Sequence, residues 1–238
     1  MLPALTLLIF YVTLTPLAAL IGFPWTLITG DVMLLYRMSR WIAGTGIRLA
    51  GIRTRVTGQE NIPANTPCIF MMNHISNLDP PVLIPLIPGR TAFLIKSELM
   101  KIPILGVGMR MGDFIPVERD RRHESAKASI LRAAQVLASG VHITVFPEGT
   151  RSHDGRLLPF KKGPFFLAEQ TGAAVIPISI HGTEQMMRKG SLRVFPGEAH
   201  LHFHAPLYAR DYATREELSQ ATRAAIASKL PEWMHSDF

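Results

Sequence analysis

The first 30 residues of the chain form an apolar stretch without Asp, Glu, Lys, Arg or His. As one continuous helix they would measure about 45 Å, longer than the roughly 30 Å hydrocarbon core of a bilayer. The stretch is interrupted by Pro3, Pro16, Gly22 and Pro24. A kinked span or a re-entrant helical pair therefore fits as well as one straight helix. Because no basic residue lies at its start, we expect a retained anchor rather than a cleaved signal peptide; a buried helix is the alternative.

A basic amphipathic pattern follows the apolar stretch. Residues 31–60 carry five arginines against two acidic residues. One side of a helical wheel carries Arg37, Arg40 and Arg48. Another side carries Leu35, Met38, Ile42 and Leu49. This pattern is typical of a helix lying in a membrane interface and predicts that this side faces the cytoplasm. An amphipathic helix packed on the rest of the protein is the alternative.

The rest of the chain alternates short apolar runs with helical patterns. The apolar runs predict strands at Cys68–Met72, Thr91–Ile95, Phe114–Val117, Val141–Phe146, Val175–Ile180, Ser191–Phe195 and Ala199–His204. Helices are predicted over residues 123–139 and 164–171, and in a C-terminal segment that opens with a capping box of Thr214 and Glu217. This alternation predicts the α/β class, with a largely parallel mixed sheet flanked by helices.

Composition and charge narrow the class of protein. The 238 residues are 47% hydrophobic and 18% charged, which excludes a mainly disordered chain. The single cysteine excludes an intramolecular disulfide and a multi-cysteine zinc site. The net charge of +7 points to anionic lipid or nucleic acid, and no nucleic-acid-binding motif is found, so we expect lipid. We predict a membrane-anchoring helical segment at residues 1–55 and one α/β domain at residues 56–238.

A polar cluster from Asn73 to Pro80 directly follows a predicted strand, where open α/β sheets place their sites. It holds His74 and Asp79, and the proline after Asp79 also suits a helix N-cap. If the two side chains meet, the carboxylate fixes the imidazole tautomer and leaves the other ring nitrogen free as a base. A loop histidine and a capping aspartate with no joint role are the alternative.

A second cluster, Phe-Pro-Glu-Gly-Thr-Arg-Ser at residues 146–152, also follows an apolar strand. Its polar side chains are those of Glu148, Thr150, Arg151 and Ser152. Gly149 permits close approach of the backbone, and Arg151 can bind an anion with two hydrogen bonds. Lys161 precedes a predicted helix start, which is a natural phosphate site. A surface turn with solvated charges is the alternative.

Two further segments carry polar groups of interest. Arg119 stands at the carboxyl end of a predicted strand, where it could bind phosphate or belong to a charged turn. His200, His202 and His204 alternate, so their imidazoles face one side of a strand. Three such rings could bind a metal, but we interpret the strand as half-exposed and predict no metal site.

Together these motifs resemble those of the lysophospholipid acyltransferase family, and within it the 1-acylglycerol-3-phosphate acyltransferases. They are His-x4-Asp at 74–79, Gly-x-Phe-Ile-Pro-Val-x-Arg at 112–119, Phe-Pro-Glu-Gly-Thr-Arg-Ser at 146–152 and Val-Ile-Pro-Ile at 175–178. The resemblance implies that His74 is the general base and Asp79 its partner. It also implies that Arg119 binds the phosphate of the acceptor.

The resemblance implies further binding residues. The acceptor would be bound with help from Glu148, Gly149, Thr150 and Arg151. Lys161 is a further candidate for phosphate contact, and Lys96 and Lys101 occupy a basic stretch similar to one in bacterial members. The acyl pocket would be shaped by Val175, Ile176, Pro177 and Ile178.

The implied reaction moves a fatty acyl group from acyl-CoA or acyl carrier protein to 1-acyl-glycerol 3-phosphate, giving phosphatidic acid. These carriers are co-substrates, and no cofactor or metal is expected. The expected partners are the lipid bilayer, the lysophospholipid acceptor and the acyl donor, with the catalytic domain on the cytoplasmic face. The alternatives are another acceptor, such as glycerol 3-phosphate, another lysophospholipid or an amino-acid lipid, or a non-enzymatic lipid-binding protein.

Overall fold

The computed structural model of the protein describes residues 2–118 and 123–236. Within them one sheet contains β1 (Ile52–Thr57), β2 (Ile69–Met72), β3 (Thr91–Lys96), β4 (Ile115–Val117), β5 (His142–Val145), β6 (Val175–His181) and β7 (Gly197–Phe203). The α-helices are α1 (Leu2–Thr29), α2 (Met33–Leu49), α3 (Asp79–Leu83), α4 (Leu105–Met111), α5 (His123–Ala138), α6 (Gly163–Thr171), α7 (Thr183–Met186) and α8 (Arg215–Ala227).

The strand order across the sheet is β1-β7-β6-β2-β5-β3-β4. Every neighbouring pair is parallel except β6 and β7, which are antiparallel. The predicted α/β class and largely parallel mixed sheet are therefore confirmed. Because β2, β5 and β6 are mutually parallel neighbours, their carboxyl ends meet at one edge of the sheet, where the loops that follow them can share a site.

The hydrophobic core covers both faces of the sheet. Four successive residues of β2 are completely buried and alternate between the two core clusters: Phe70 and Met72 on one face, Ile69 and Met71 on the other. A strand covered on both faces needs a continuous apolar run rather than an alternating one. Each fully buried side chain of this size contributes roughly 1.5–3 kcal/mol, so the middle of the sheet is a rigid platform for its loops.

Six of the predicted strands are confirmed, with ends that differ by one or two residues. The sequence analysis missed β1, which places the predicted boundary after residue 55 inside a strand of the sheet. This strand is an edge strand, and three of its six residues, Arg53, Thr54 and Arg55, are exposed in succession. Charged residues protect such edges from pairing with other chains, but they also disguise the strand pattern.

The predicted strand at Ser191–Phe195 is wrong. This segment pairs with none of the strands that the structure describes and belongs to the irregular connection between α7 and β7. Within the segment only Val194 is buried, whereas Leu192 is 84% exposed. Its backbone instead makes local bonds, such as the one that the Phe195 N–H donates to the Met186 carbonyl, at 2.9 Å. The apolar residues that suggested a strand therefore do not form a ladder.

The predicted helices are confirmed as α5, α6 and α8. At the start of α8 the Thr214 hydroxyl accepts the Glu217 N–H, as a capping box requires. The Glu217 carboxylate, however, accepts the N–H of Ala213 rather than that of Thr214. The buried side of α8 carries Leu218, Thr222 and Ile226, and the helix packs against β6.

The N-terminal residues form an antiparallel helical hairpin of α1 and α2. Helix α1 continues through Pro16 and Pro24 as one helix, so the re-entrant alternative within residues 1–30 is not observed. The two helices approach closely at glycines: a Cβ at Gly46 would lie 2.5 Å from the Tyr11 hydroxyl, and one at Gly22 would lie 2.8 Å from Leu35. Among the described residues, Pro3–Thr29 is the one helix long and apolar enough to cross a membrane.

One side of helix α2 packs on the rest of the protein, and the other side remains available to a membrane interface. Leu35 and Ile42 are buried, and Arg40 donates to the Pro85 carbonyl at 2.7 Å, so this side packs against the protein. Arg37 and Trp41 are exposed. Only part of the helix surface is therefore available to a membrane interface.

We expect Asn73→Ala to destabilise the sheet edge that carries the site. The buried Asn73 side chain donates to the Ile180 carbonyl at 2.9 Å and accepts the Ile180 N–H at 2.8 Å, which joins the ends of β2 and β6. Losing both partners should cost about 2–4 kcal/mol in the free energy of unfolding, measured by chemical denaturation in detergent. Asn77→Ala, on an exposed residue of the same loop, should change it by less than about 0.5 kcal/mol. Equal effects of the two substitutions would contradict this assignment.

Candidate active site

His74 emerges from the end of β2 with its ring held from two directions. Its imidazole stacks on the Phe146 ring, with centroids 3.9 Å apart and planes 17° from parallel. Its Nδ1–H donates to Asp79 Oδ2 at 2.8 Å. The structure therefore brings together the two residues that the first cluster predicted to meet.

Asp79 is completely buried and accepts hydrogen bonds on both oxygens. Besides His74, the backbone N–H groups of Ile75 and Ser76 donate to Oδ2, each at 2.8 Å. The Thr183 hydroxyl donates to Oδ1 at 2.6 Å. The predicted N-cap role of Asp79 is wrong: α3 begins at Asp79 itself, after Leu78, because the carboxylate bonds the preceding loop instead of its own helix.

The hydrogen bond to Asp79 determines which nitrogen of His74 is available for chemistry. With the proton on Nδ1, Nε2 carries a lone pair. Within the described residues no protein group bonds Nε2, and 16% of the His74 side chain is exposed. The pair can therefore accept a proton from a bound hydroxyl while the carboxylate stabilises the imidazolium that forms.

Glu148 lies behind this loop and bonds its backbone. Its Oε1 accepts the His74 N–H at 2.7 Å, and its Oε2 accepts the Leu158 N–H at 2.9 Å. The Ser152 N–H donates to the His74 carbonyl at 2.8 Å, so both backbone polar groups of His74 are held by the second cluster. Burial raises the pKa of the Glu148 carboxyl to about 8, although the two backbone donors oppose the shift.

The rest of the second cluster gathers cationic side chains. Gly149 has φ +71°, and a Cβ there would lie 3.4 Å from the Lys161 side chain. The Arg151 carbonyl accepts a hydrogen bond from Lys189 Nζ at 2.8 Å, and Thr150 is half-buried beside it. Arg151 Nη1 is buried and has no partner among the described residues. A buried guanidinium nitrogen without an acceptor is suited to binding an anion.

The structure does not bring all predicted substrate-binding residues to the loop at residues 146–152. Lys96 pairs with Glu98 at 2.9 Å at the end of β3, and Lys101 is exposed in the 3₁₀ turn Ser97–Lys101. Arg119 lies outside the described residues. These assignments stay predictions.

The segment predicted to shape the acyl pocket lies inside β6. Val175, Ile176, Pro177 and Ile178 are all buried in the middle of the sheet. A separate cavity of about 750 Å³ lies between α2, β1 and α3, and its apolar lining includes Ile47, Val82 and Leu86. The role of the β6 segment in acyl binding stays a prediction, and its visible role is packing.

The three alternating histidines face one side of the sheet at β7, as predicted. His200 stacks on His181 with centroids 4.6 Å apart, and His202 Nδ1 lies 2.7 Å from the Thr57 hydroxyl. The Ser179 hydroxyl donates to the Ile226 carbonyl, so it accepts from His204 Nε2 at 2.7 Å. Burial lowers the pKa of His204 to about 4, which keeps this ring neutral in the polar network.

Sequence reasoning missed the connection between β6 and β7 as part of the site. This connection, residues 182–196, supplies Thr183 to Asp79 and Lys189 to the Arg151 carbonyl. It also accepts the Ser76 hydroxyl on the Met187 carbonyl at 2.8 Å. A Gly-Thr pair after a strand carries no charge or recognised motif, so the sequence contains no signal that would have selected it.

The chain is similar in sequence to known proteins. The chain is 39% identical over 160 residues to the 1-acyl-sn-glycerol-3-phosphate acyltransferase BAT2, chloroplastic, of Brassica napus, covering 66% of this chain and 45% of that protein. It is 33% identical over 200 residues to the 1-acyl-sn-glycerol-3-phosphate acyltransferase of Borreliella burgdorferi, covering 83% of this chain and 79% of that protein. The chain thus spans about half the length of the plant relative and most of the bacterial one.

A solved structure has a similar fold over nearly the whole chain. It is the crystal structure of the 1-acyl-sn-glycerophosphate (LPA) acyltransferase PlsC from Thermotoga maritima, with a TM-score of 0.85 and 27% identity, covering 95% of this chain and 92% of that one. The sequence model of the family described as Acyltransferase matches residues 53–181, which include the His74–Asp79 pair and the Glu148 loop. The chain therefore belongs to the acyltransferase family.

Proposed function

We propose that the protein transfers a fatty acyl group from a thioester carrier to the free hydroxyl of 1-acyl-glycerol 3-phosphate, producing phosphatidic acid. The observation that carries the proposal is the pairing of His74 Nδ1 with the buried Asp79, which leaves Nε2 without a protein partner among residues 2–118 and 123–236. The names of the relatives support this acceptor. The carrier is acyl-CoA or acyl carrier protein, and both serve the same chemistry.

In the proposed mechanism His74 Nε2 removes the proton of the acceptor hydroxyl as its oxygen attacks the thioester carbonyl carbon. The new C–O bond forms and the C–S bond breaks. The imidazolium, stabilised by Asp79, then gives its proton to the departing thiolate. Protons and electrons balance within this cycle, and no covalent acyl-enzyme is required.

The acceptor phosphate would be bound by the cationic groups around the second cluster. Arg151 offers a buried nitrogen that has no partner in the part of the chain that the structure describes, and the exposed Lys161 side chain lies next to Gly149. We retain Arg119, Lys96 and Lys101 as further phosphate or donor contacts, Thr150 as a hydroxyl contact, and 175–178 as the acyl-pocket segment. Glu148 acts in this proposal chiefly by holding the backbone around the site, since its Oε1 accepts the His74 N–H and its Oε2 accepts the Leu158 N–H.

We expect product formation when 1-acyl-glycerol 3-phosphate is supplied with acyl-CoA or acyl carrier protein donors, scored by product mass. Glycerol 3-phosphate, lysophosphatidylcholine and an amino-acid lipid complete the panel. His74→Ala should lose at least about 10²-fold in rate, the usual share of a general base. His153→Ala, at an exposed histidine, should retain the wild-type rate.

If product forms only with another acceptor of the panel, that acceptor replaces 1-acyl-glycerol 3-phosphate as the proposed substrate. If neither donor releases thiol, the protein is better explained as a lipid-binding protein that keeps the fold. A folded His74→Ala protein with wild-type activity would reject the mechanism.

We expect Arg151→Ala and Arg119→Ala each to raise the KM for the phosphorylated acceptor by about tenfold or more, with a smaller change in kcat. Hydrogen bonds to a charged ligand contribute about 1.5–3 kcal/mol, which sets this magnitude. Arg156→Ala, at an exposed arginine of the same loop, is the matched control and should leave this KM unchanged. If neither substitution moves the acceptor KM, the phosphate is bound elsewhere.

The proposed substrate is a membrane lipid, and we propose that α1 seats the protein on the membrane with the α/β domain on the cytoplasmic face. Helix α1 exposes apolar side chains along its length, among them Val12 at 63%, Leu20 at 73% and Leu27 at 75%. The arginines of α2 follow this helix in the chain, as the positive-inside rule requires. The hairpin of α1 and α2 would then act as the anchoring part of the predicted segment 1–55, and the acyltransferase domain would begin with β1 at Ile52 rather than at residue 56.

We expect lysine substitution of Val12, Leu20 and Leu27 together to shift the full-length protein from the membrane pellet to the soluble fraction. Lysine substitution of Leu131, Leu192 and Trp233, which are exposed elsewhere, is the matched control and should leave the protein in the pellet. Deleting residues 1–30 should also release it, although that change uncovers the packed side of α2. If the triple α1 variant stays in the pellet, another surface of the protein binds the membrane.

A further inference from the structure

The Asp79 carboxylate is anchored unevenly, and one distant residue completes its anchoring. Three donors from its own loop, His74, Ile75 and Ser76, all bond Oδ2. On Oδ1 the donor is the hydroxyl of Thr183, at 2.6 Å and 104 residues away in the chain. We infer that Thr183 is a positioning residue for the His74–Asp79 pair, an inference that rests on the proposed function.

The backbone fixes Thr183 where it can reach Asp79. Gly182 directly follows β6 with φ +95°, and a Cβ at this position would clash with the Glu198 carbonyl oxygen, so only glycine fits this turn. Thr183 follows at the first position of α7 and is completely buried. At the other end of α7, the Met187 carbonyl accepts the Ser76 hydroxyl at 2.8 Å. Helix α7 therefore touches the loop of His74 at two points.

The hydrogen bond to Oδ1 matters because an aspartate carboxylate held through one oxygen can still rotate about its Cβ–Cγ bond. Rotation would carry Oδ2 away from the His74 Nδ1–H and change the direction of Nε2. The hydroxyl of Thr183 opposes this rotation. With Oδ1 held in this way, Oδ2 stays in place to accept the Nδ1–H while the imidazolium forms.

Thr183 is a positioning residue and touches no substrate in this scheme, so its removal should affect turnover more than binding. We expect Thr183→Val, which keeps the shape but lacks the hydroxyl, to lower kcat by about tenfold or more, the effect of losing one hydrogen bond to a charged group. The KM values of acceptor and donor should stay within about twofold. Thr183→Ser restores the hydroxyl and should recover kcat to within about threefold of the wild type.

Thr222→Val is the matched control. Thr222 is also completely buried, and its hydroxyl bonds the Leu218 carbonyl at 2.8 Å inside α8, away from Asp79. This variant should keep the wild-type kcat. Thermal unfolding of all variants, measured in detergent, shows whether they are folded at the assay temperature. Thr183→Ala provides a second hydroxyl-free variant if the valine does not fold.

The inference is overturned if a folded Thr183→Val protein has the kcat of Thr222→Val, if its KM rises while kcat stays constant, or if Thr183→Ser remains as slow as the valine variant. Failure of both Thr183→Val and Thr183→Ala to fold also overturns it, since the residue is then purely structural. A wild-type protein without acyl transfer activity would instead reject the proposed function on which the inference rests.

Discussion

A buried carboxylate needs hydrogen-bond donors in place of water, and the structure around His74 is organised by the need to supply them to Asp79. The donors come from two separate parts of the chain, the loop after β2 and the turn after β6. These loops can meet because β2 and β6 are parallel neighbours whose carboxyl ends lie at the same edge. The sheet topology thus decides that a charged group can be buried here, and the charged group in turn orients the imidazole.

Glu148 holds the backbone of His74 as Asp79 holds its ring. One buried acid bonds the ring of this histidine and another bonds its N–H, so displacement of the loop breaks bonds to both. Burial is the main cause of the raised pKa of Glu148, and the negative charge of Asp79 adds to it. Helix α8 holds the same backbone, because Arg223 donates to the Leu158 carbonyl at 2.8 Å, and Leu158 is the residue whose N–H Glu148 accepts.

The sequence predicted the parts of the fold in which one physical signal dominates. Nearly continuous apolar runs identified β2 and β6, because strands covered on both faces need such runs. The edge strand β1 was missed because its arginines face solvent, and Ser191–Phe195 was mistaken for a strand because its apolar residues satisfy the local pattern without forming a ladder. The short spacing of His74 and Asp79 after a strand allowed the two side chains to meet, and the resemblance of the four motifs to a known family favoured that interpretation.

Contacts between distant parts of the chain were not predictable in this way. Thr183 reaches Asp79 only because β6 lies beside β2, and no local pattern encodes that adjacency. The binding role expected of Glu148 came from its place in a motif, whereas its contacts depend on where residues 74 and 158 lie relative to it. Residue type indicates which chemistry is available, and topology decides which groups share it.

The short junction between the helical hairpin and the sheet has a mechanical consequence. Only Ala50 and Gly51 separate the end of α2 from the start of β1, and Gly51 packs so tightly that a Cβ there would lie 3.0 Å from Pro196. The hairpin is thus a rigid extension of the sheet rather than a tether. A surface on which α1 rests stays at a constant height from the His74 imidazole. If α1 rests on a membrane, as proposed, a lipid acceptor would have to rise until its hydroxyl reaches that height, so the fold would select acceptors by how far they protrude from the membrane.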